Sequence, residues 1–569
     1  MENKFYSMFQ KKISLILFLV LLSNIFAFSQ NNSSKHRIVF TDKNNSPYSI
    51  SKPSDFLSQK AIDRRSKQKI SIENNDLPVN PAYVDSIKST GVKILNKSKW
   101  FNSVTIETSD SLVIDKILLF PFVLKVENVV PKDKSKSSRK GTKSINSISC
   151  EDNLSETTKD INSYDYGYSY NQTKMIAINA LHDLNYRGKG MTIAVLDAGF
   201  YKVDTLDVFE SLWANNQILG TVDFVNPGGN VFKKSTHGMM VLSTMAANIP
   251  SQMIGTAPEA NYWLLRSEDA KSEYIIEEGN WAAAAEFADS VGADIINSSL
   301  SYTTFDDSTQ NHSYLDMDGN TALVSKAADI AASKGIIVVV SAGNSGNSTS
   351  WQYVGAPSDA DSVLTIGAVD YSGKYASFSS IGPTSDDRIK PTIASQGLGT
   401  AIAVAGNTIS FGNGTSFSSP IIAGAVACLW QANPELNNME IIEYIKKSSS
   451  IFSNPDNFLG YGIPNFAIAN LIIKGNKIDN FDVDNSVSVL PNPFSNSFYI
   501  IFSSNDTHTV NVELFDISGK RIFHRENLSR NLGYNYFYVN DLSIFSKGFY
   551  FLRLSSNGNV FTKKLIKFE

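Results

Sequence analysis

Residues 412–430 read GNGTSFSSPIIAGAVACLW, a glycine-rich turn followed by a stretch without a single charged residue. Glycine permits the backbone angles of a tight turn, and Pro420 suits the first turn of a helix, where its missing N–H has no partner. Because residues 421–430 are apolar throughout, we predict a helix buried on every side within a large domain. Ser416 then lies at the N-terminus of this helix, where free backbone N–H groups favour an anion.

The sequence on both sides of this helix predicts a parallel sheet. From residue 165 to residue 475, short apolar segments alternate with helical stretches such as Gly279–Val291 and Thr321–Lys334. The predicted strands are Met191–Leu196, Asn261–Arg266, Asp294–Leu300, Ile336–Ser341 and Val363–Ala368. Such a pattern is typical of an α/β fold whose sheet is covered on both faces by helices. In open parallel sheets, active residues gather at the carboxyl ends of the strands.

Three further segments place reactive side chains at the ends of elements. VLDAG (195–199) ends an apolar strand at Asp197, STHGMMV (235–241) starts an apolar helix at His237, and IVVVSAGNSG (337–346) brings Asn344 to the end of a buried strand. A serine hydroxyl needs a base, a neutral histidine can act as one, and a carboxylate orients the imidazole. An amide and a backbone N–H can stabilise an oxyanion.

Each of these residues also has a purely structural interpretation. Asp197 fits an ordinary turn, His237 a structural helix residue, Ser416 a helix N-cap and Asn344 a loop. The four together, each at the end of a strand or helix, predict the active site of a serine hydrolase.

These motifs resemble the subtilase family over about residues 165–475. The resemblance implies a three-layer subtilisin-like domain in which Asp197 orients His237, His237 acts as the base, Ser416 is the nucleophile and Asn344 is the oxyanion donor. It also implies a substrate cleft, whose lining residues are Ser299, Leu300, Ser301, Ala342 and Gly343. The expected activity is that of a secreted serine endopeptidase, which hydrolyses proteins or peptides through an acyl-enzyme. The alternative is a catalytically silent surface adhesin or binding protein on the same scaffold.

Some positions depart from the family's usual pattern. Ser301 stands where the family frequently has glycine at the floor of the specificity pocket, so the preferred substrate side chain stays open. The chemistry needs no cofactor, and structural calcium is often bound in this family. Asp316 and Asp318 alternate as in calcium loops, but the other ligands of such a loop are missing, which favours a solvated acidic turn. The metal ligands therefore remain unassigned.

The N-terminal 164 residues divide into three predicted segments. Residues 1–29 contain Lys11, Lys12 and an apolar run over 13–28, which is typical of a signal peptide. A membrane anchor is the alternative, but a span needs about 20 apolar residues, and we expect no membrane span in the mature form. Residues 30–131 form a small α+β unit, and residues 132–164 form an exposed polar linker.

Residues 30–131 resemble the propeptide of bacterial subtilases in AIDRR (61–65) and WFNSV (100–104). The resemblance implies an intramolecular chaperone and inhibitor, as in a zymogen, that the enzyme removes by self-cleavage. The alternative is a permanent accessory domain.

Residues 484–569 predict a β-sandwich module. The segment 510–515 alternates between apolar and polar residues, and Asn557-Gly558 signals a hairpin between strands at 549–554 and 560–568. The motifs LPNPF (490–494) and KGFYFL (547–552) resemble the sorting domain of type IX secretion. This implies contact with that secretion machinery and a location outside a Gram-negative bacterium, in the medium or on the outer-membrane surface. A carbohydrate- or protein-binding module is the alternative.

The overall composition limits other functions. The formal net charge is −4, which gives no indication of a nucleic-acid partner. Two cysteines, Cys150 and Cys428, are too few for a disulfide scaffold, although they could pair with each other. His182, His312 and His524 have no partner that the sequence identifies, so we expect all three at the surface.

Overall fold

The structure, a computed structural model, describes residues 33–131, 165–474, 487–490, 492–504, 508–528, 530, 533–540 and 542–568. The predicted signal peptide (1–29) and linker (132–164), including Cys150, lie outside the described residues. Cys428 is buried as a free thiol.

The N-terminal unit is a four-stranded antiparallel sheet with helices on one face. Its elements are β1 (Ser34–Phe40), α1 (Gln59–Lys67), α2 (Pro81–Ser89), β2 (Lys93–Ser98), β3 (Ser103–Thr108), α3 (Leu112–Leu118) and β4 (Val123–Val130). The strand order is β2-β3-β1-β4. Ile38, Val104 and Ile106 of the sheet are buried in one core with residues of α2 and α3, such as Ile87 and Ile117. The α+β prediction for this unit is therefore confirmed.

The central part of the chain contains a seven-stranded sheet in the order β13-β12-β11-β10-β5-β9-β6, with every pair parallel. Its strands are β5 (Thr192–Asp197), β6 (Ile218–Asp223), β9 (Asn261–Arg266), β10 (Ile295–Ser298), β11 (Ile337–Ser341), β12 (Leu364–Val369) and β13 (Ile393–Gln396). Two small hairpins accompany it: β7 (Asn248–Ile249) with β8 (Met253–Ile254), and β14 (Thr400–Val404) with β15 (Thr408–Gly412).

Helices cover both faces of this sheet. They are α4 (Tyr170–Met175), α5 (Asn179–Asp183), α6 (Glu210–Ala214), α7 (His237–Ala246), α8 (Ile276–Val291), α9 (Leu323–Ser333), α10 (Thr415–Ala432), α11 (Asn438–Lys447) and α12 (Phe466–Ile473). In β5, Ile193 and Val195 face the core that contains α7 and α10, whereas Ala194 and Leu196 face α8 and α9. This alternation gives the predicted three layers, because successive strand residues point to opposite faces.

The start of α10 differs from the sequence prediction. The helix begins at Thr415, so Pro420 lies within it rather than in its first turn. A residue at position 420 would normally donate its N–H to the carbonyl of Ser416, and proline cannot do so. The hydroxyl of Ser299 donates to that carbonyl instead, at 2.9 Å. Because Pro420 cannot donate to it, the Ser416 carbonyl accepts from Ser299 instead, and this hydrogen bond links α10 to the segment after β10.

The N-terminal unit packs on α8 through buried charges. Asp289 of α8 accepts hydrogen bonds from Arg64 Nη2 at 2.6 Å, Arg65 Nη2 at 2.8 Å and Lys99 Nζ at 2.9 Å. These cations hold the pKa of the Asp289 carboxyl below its usual range, against the effect of its burial. Glu286, one turn earlier, accepts from the backbone N–H groups of Lys99 and Trp100.

The C-terminal part forms two facing sheets. Its strands are β16 (Val487–Leu490), β17 (Phe498–Ser504), β18 (Val510–Asp516), β19 (Arg521–Leu528), β20 (Gly533–Val539), β21 (Gly548–Ser556) and β22 (Asn559–Lys567). The sheet orders are β16-β17-β20 and β19-β18-β21-β22. Phe498 and Ile500 of one sheet share a core with Val512 and Leu552 of the other. The β-sandwich prediction is confirmed, and β21 and β22 form the predicted hairpin.

Candidate active site

Asp197 and His237 form a hydrogen-bonded pair at the carboxyl edge of the parallel sheet. Asp197 is the last residue of β5 and is fully buried, and its Oδ1 and Oδ2 lie 2.8 and 3.0 Å from Nδ1 of His237. The pairing leaves Nε2 as the second ring nitrogen of an imidazole whose side chain is 29% exposed. A carboxylate facing Nδ1 favours the tautomer with the proton on that nitrogen, which is the tautomer that a general base requires.

The close approach of α7 to β5 depends on Gly238. A Cβ atom at this position would lie 2.5 Å from the carbonyl oxygen of Gly199 and 2.9 Å from Cβ of Asp197. Glycine therefore allows the first turn of α7 to sit directly against the strand that carries Asp197.

Ser416 lies in the first turn of α10, near His237. Its Oγ is 3.5 Å from the carbonyl oxygen of Ser299. The ring centroid of the next residue, Phe417, is 6.3 Å from the ring centroid of His237. The structure therefore brings the predicted base and the segment of the predicted nucleophile to the same edge of the sheet.

Asn344 and the backbone of Ser416 face one small space. Oδ1 of Asn344 accepts hydrogen bonds from the backbone N–H and the hydroxyl of Thr415, at 2.8 and 3.0 Å. This leaves Nδ2 as a donor. A Cβ atom built on Gly414 would lie 3.7 Å from Nδ2 of Asn344 and 3.7 Å from the backbone nitrogen of Ser416. Gly414 thus leaves unfilled a space that Nδ2 of Asn344 and the backbone nitrogen of Ser416 both border.

The predicted cleft residues follow two neighbouring strands. β10 and β11 pair in parallel, so Ser299, Leu300 and Ser301 emerge beside Ala342 and Gly343. All are buried except Ser301.

The hydroxyl of Ser301 lies in a narrow space between two glycines. Its Oγ is 3.4 Å from the position that a Cβ atom on Gly343 would take, and 2.5 Å from that on Gly355. Sequence reasoning missed Gly355, because it lies more than 50 residues further along the chain and no motif marks it.

Of the three histidines that the sequence placed at the surface, His524 is exposed, but His182 and His312 are enclosed. His182 is fully buried, with Tyr166 Oη 2.8 Å from Nδ1 and the Thr256 carbonyl 3.0 Å from Nε2. Burial lowers the pKa of His182 to about 4. His312 contacts Glu278 through Nε2, and this carboxylate raises its pKa despite its burial. The surface prediction was wrong because the partners of both residues lie far away in the sequence.

The acidic side chains of the turn at 316–320 accept hydrogen bonds from residues close to them in the sequence. Asp316 accepts from the backbone and hydroxyl of Ser313, and Asp318 accepts from the backbone N–H groups of Asn320 and Thr321. Within the described ranges, no group of three or more histidine, cysteine or acidic side chains has an arrangement that would hold a metal ion.

Comparison with known proteins agrees with this architecture. Residues 188–462 match the subtilase family, residues 35–144 match the peptidase S8 propeptide domain of Bacteroidota, and residues 488–568 match the secretion system C-terminal sorting domain. Residues 188–462 therefore form a domain of the subtilase family, and the protein is a serine-type endopeptidase made with a propeptide.

Individual known proteins are similar to part of this chain. The chain is 29% identical over 296 residues to subtilisin NAT of Bacillus subtilis subsp. natto and to subtilisin E of Bacillus subtilis (strain 168). Each match covers 51% of this chain and 68% of the relative. Among solved structures, MycP1 from Mycobacterium smegmatis matches with a TM-score of 0.42 and 21% identity, covering 55% of this chain and 86% of that chain.

The sorting domain indicates that the protein is secreted, in agreement with the sequence prediction. In the parts of the chain for which the structure gives positions, no helix has the length and apolar character needed to cross a membrane.

Proposed function

We propose that Asp197, His237 and Ser416 act as a catalytic triad that hydrolyses peptide bonds of proteins. The observation that carries this proposal is the pair of hydrogen bonds between the Asp197 carboxylate and Nδ1 of His237, at 2.8 and 3.0 Å. In the proposed reaction, Nε2 of His237 takes the proton of the Ser416 hydroxyl as Oγ attacks the substrate carbonyl. The buried carboxylate of Asp197 stabilises the imidazolium that forms.

The negative charge that develops on the carbonyl oxygen requires donors. Nδ2 of Asn344 and the backbone N–H of Ser416 supply them in this proposal, since both border the space that Gly414 leaves open. His237 then protonates the leaving amine, and a water molecule activated by the same imidazole hydrolyses the acyl-enzyme. Ser299, Leu300, Ser301, Ala342 and Gly343 line the cleft that holds the substrate.

The domain boundaries are part of the same proposal. We assign residues 1–29 to a signal peptide, 30–131 to the propeptide, 132–164 to a linker, 165–475 to the peptidase and 484–569 to the sorting domain. The propeptide acts as an inhibitor until it is removed. Its buried contacts with α8 support this role, because they bind it to the domain that carries the triad. The sorting domain engages the type IX secretion machinery.

A fluorophosphonate probe tests the nucleophile. The purified protein should be labelled, and Ser416→Ala should abolish labelling and keep the N-terminal domain attached, visible as a longer chain by mass spectrometry. Ser418→Ala is the matched control, because this neighbouring hydroxyl donates to the Thr415 carbonyl within α10. Undiminished labelling of Ser416→Ala would refute the assignment and favour the competing interpretation of a silent scaffold. Trimming of Ser416→Ala to the mature size would refute self-processing.

A further inference from the structure

Two acidic segments border the cleft on either side of the strand that carries Asp197. Residues 267–278 follow β9 and residues 301–311 follow β10, and both strands pair with β5. The first segment is attached directly to the site, because Ser267 N donates to the carbonyl oxygen of Asp197 at 3.0 Å. The two segments are joined through Glu273 N, which donates to Asp306 Oδ2 at 3.2 Å.

The sequence of this edge is rich in carboxylates. Residues 268–278 contain five carboxylates and one lysine, Lys271. Some of the charge is balanced, since Asp269 pairs with Arg266 at 3.2 Å and Glu278 with His312. We call Glu268, Glu273, Glu277 and Asp306 the acidic rim.

Glu277 of the acidic rim is buried with one carboxylate oxygen unused. The residue is 2% exposed, and its Oε1 accepts a hydrogen bond from the backbone of Asp269 at 2.9 Å. Its Oε2 is also buried and has no hydrogen-bond partner among the described residues. Burial and the charges of Glu273 and Glu268 raise the pKa of Glu277 well above its usual value. An acceptor left unsatisfied in this way is costly unless a ligand completes it.

A second buried polar group at this place is also unsatisfied. Tyr302, directly after Ser301, is 1% exposed, and its hydroxyl has no partner within the described parts of the chain. Burial and the charges of Glu268, Glu277 and Glu273 raise its pKa. The hydroxyl therefore lies within electrostatic reach of the acidic rim. Anionic groups together with a neutral hydroxyl suit an ammonium or guanidinium group, which supplies several N–H donors at once.

We propose that the acidic rim binds the side chain of a lysine or arginine of a polypeptide in the cleft, so that the enzyme prefers substrates with a basic residue near the cut. This rests on the proposed function, because it assigns a substrate preference to the same cleft. The proposed site uses different groups from the narrow space at Ser301.

The position of the N-terminal domain supports the choice of a basic polypeptide. Its last strand brings Val129 and Val130 against Tyr274 and Ile276, which lie between Glu273 and Glu277 in the sequence. The sequence that follows, residues 132–140, reads KDKSKSSRK and has five basic residues among nine. In the sequence, these basic residues follow directly after the strand whose last residues contact Tyr274 and Ile276.

Matched fluorogenic peptides test the preference. Pairs that differ only by lysine or glutamine at each of the five positions before the cut are compared by kcat/KM at low salt. We expect at least one position to favour lysine by about tenfold or more, and the ratio to fall as salt is raised. A ratio near one at every position, in enzyme that still reacts with the fluorophosphonate, would overturn the rim proposal and leave the triad intact. Loss of labelling as well would point to failure of the proposed function.

Variants then locate the preference. Glu277→Gln keeps an acceptor for Asp269 N but replaces the unsatisfied Oε2, and Glu273→Gln removes the charge of a second rim carboxylate and is available if the first variant does not fold. Both should reduce the lysine-to-glutamine ratio several-fold, whereas Glu435→Gln, an exposed carboxylate on the loop before α11, should leave it unchanged. A ratio that persists in both rim variants, or that falls equally in Glu435→Gln, would show that the rim does not bind the basic side chain.

Discussion

Asp289→Asn should loosen the N-terminal domain from the catalytic domain by a large factor. Asp289 is fully buried and faces Arg64, Arg65 and Lys99, all within 2.9 Å. Asparagine keeps the shape but leaves Arg64 and Lys99 without their buried carboxylate partner, whereas Arg65 keeps its ion pair with Asp76. Removing one partner of a buried ion cluster costs about 3–5 kcal/mol, which corresponds to an opening equilibrium about 10²–10⁴ times more favourable.

Hydrogen exchange in the Ser416→Ala background measures this opening, because the proposed self-cleavage is then blocked. The backbone amides of α1, which carries Arg64 and Arg65, should exchange faster by the same factor. Asp294→Asn is the matched control: its partner Lys60 is 2.8 Å away but 40% exposed, so the expected change is below about 1 kcal/mol. Equal effects of the two substitutions, or unchanged exchange in Asp289→Asn, would refute the idea that the buried cluster holds the domain in place.

Two further substitutions test buried polar groups. Burial lowers the pKa of His182 from 6.5 to about 4, so the folded state favours the neutral imidazole. The free energy of unfolding is therefore fully retained above pH 6.5 and should decrease by about 3 kcal/mol as the pH falls towards 4. Thermal unfolding of His182→Gln should therefore depend less on pH in this window than that of the exposed control His524→Gln, and equal slopes would contradict the assignment. Ser299→Ala leaves the Ser416 carbonyl unsatisfied and should cost about 1–3 kcal/mol. Adding Pro420→Ala supplies a backbone N–H that can donate to this carbonyl, so the double variant should lose less stability than the sum of the two single variants. Strictly additive changes in melting temperature would show that the two residues are not coupled.

The sequence predicted the central strands and the reactive residues because local signals mark both. β9 was predicted with its observed bounds, and β5 and β11 within one residue, because their apolar runs are continuous. β6 was missed because alternate residues of this edge strand are exposed, as at Leu219, which weakens the apolar signal.

Contacts between segments that are distant in the sequence could not be predicted, because no local sequence pattern marks them. Asp289 meets Arg64 across 225 residues, and neither its burial nor its cations follow from its position near the end of a helix. The same holds for His182, whose partner Thr256 lies 74 residues away. Pro420 was read as a helix start because proline is common there, but the hydroxyl of Ser299 allows it to lie inside the helix.

The two acidic residues near the end of α8 have a consequence for how the catalytic domain acquires its shape. Glu286 and Asp289 lie in the last two turns of this helix, where the helix dipole disfavours negative charge. Lys99, Arg64 and Arg65 neutralise that end while the N-terminal domain is in place. If the N-terminal domain is removed as proposed, we expect the catalytic domain alone to form this end of α8 less readily than the full chain does.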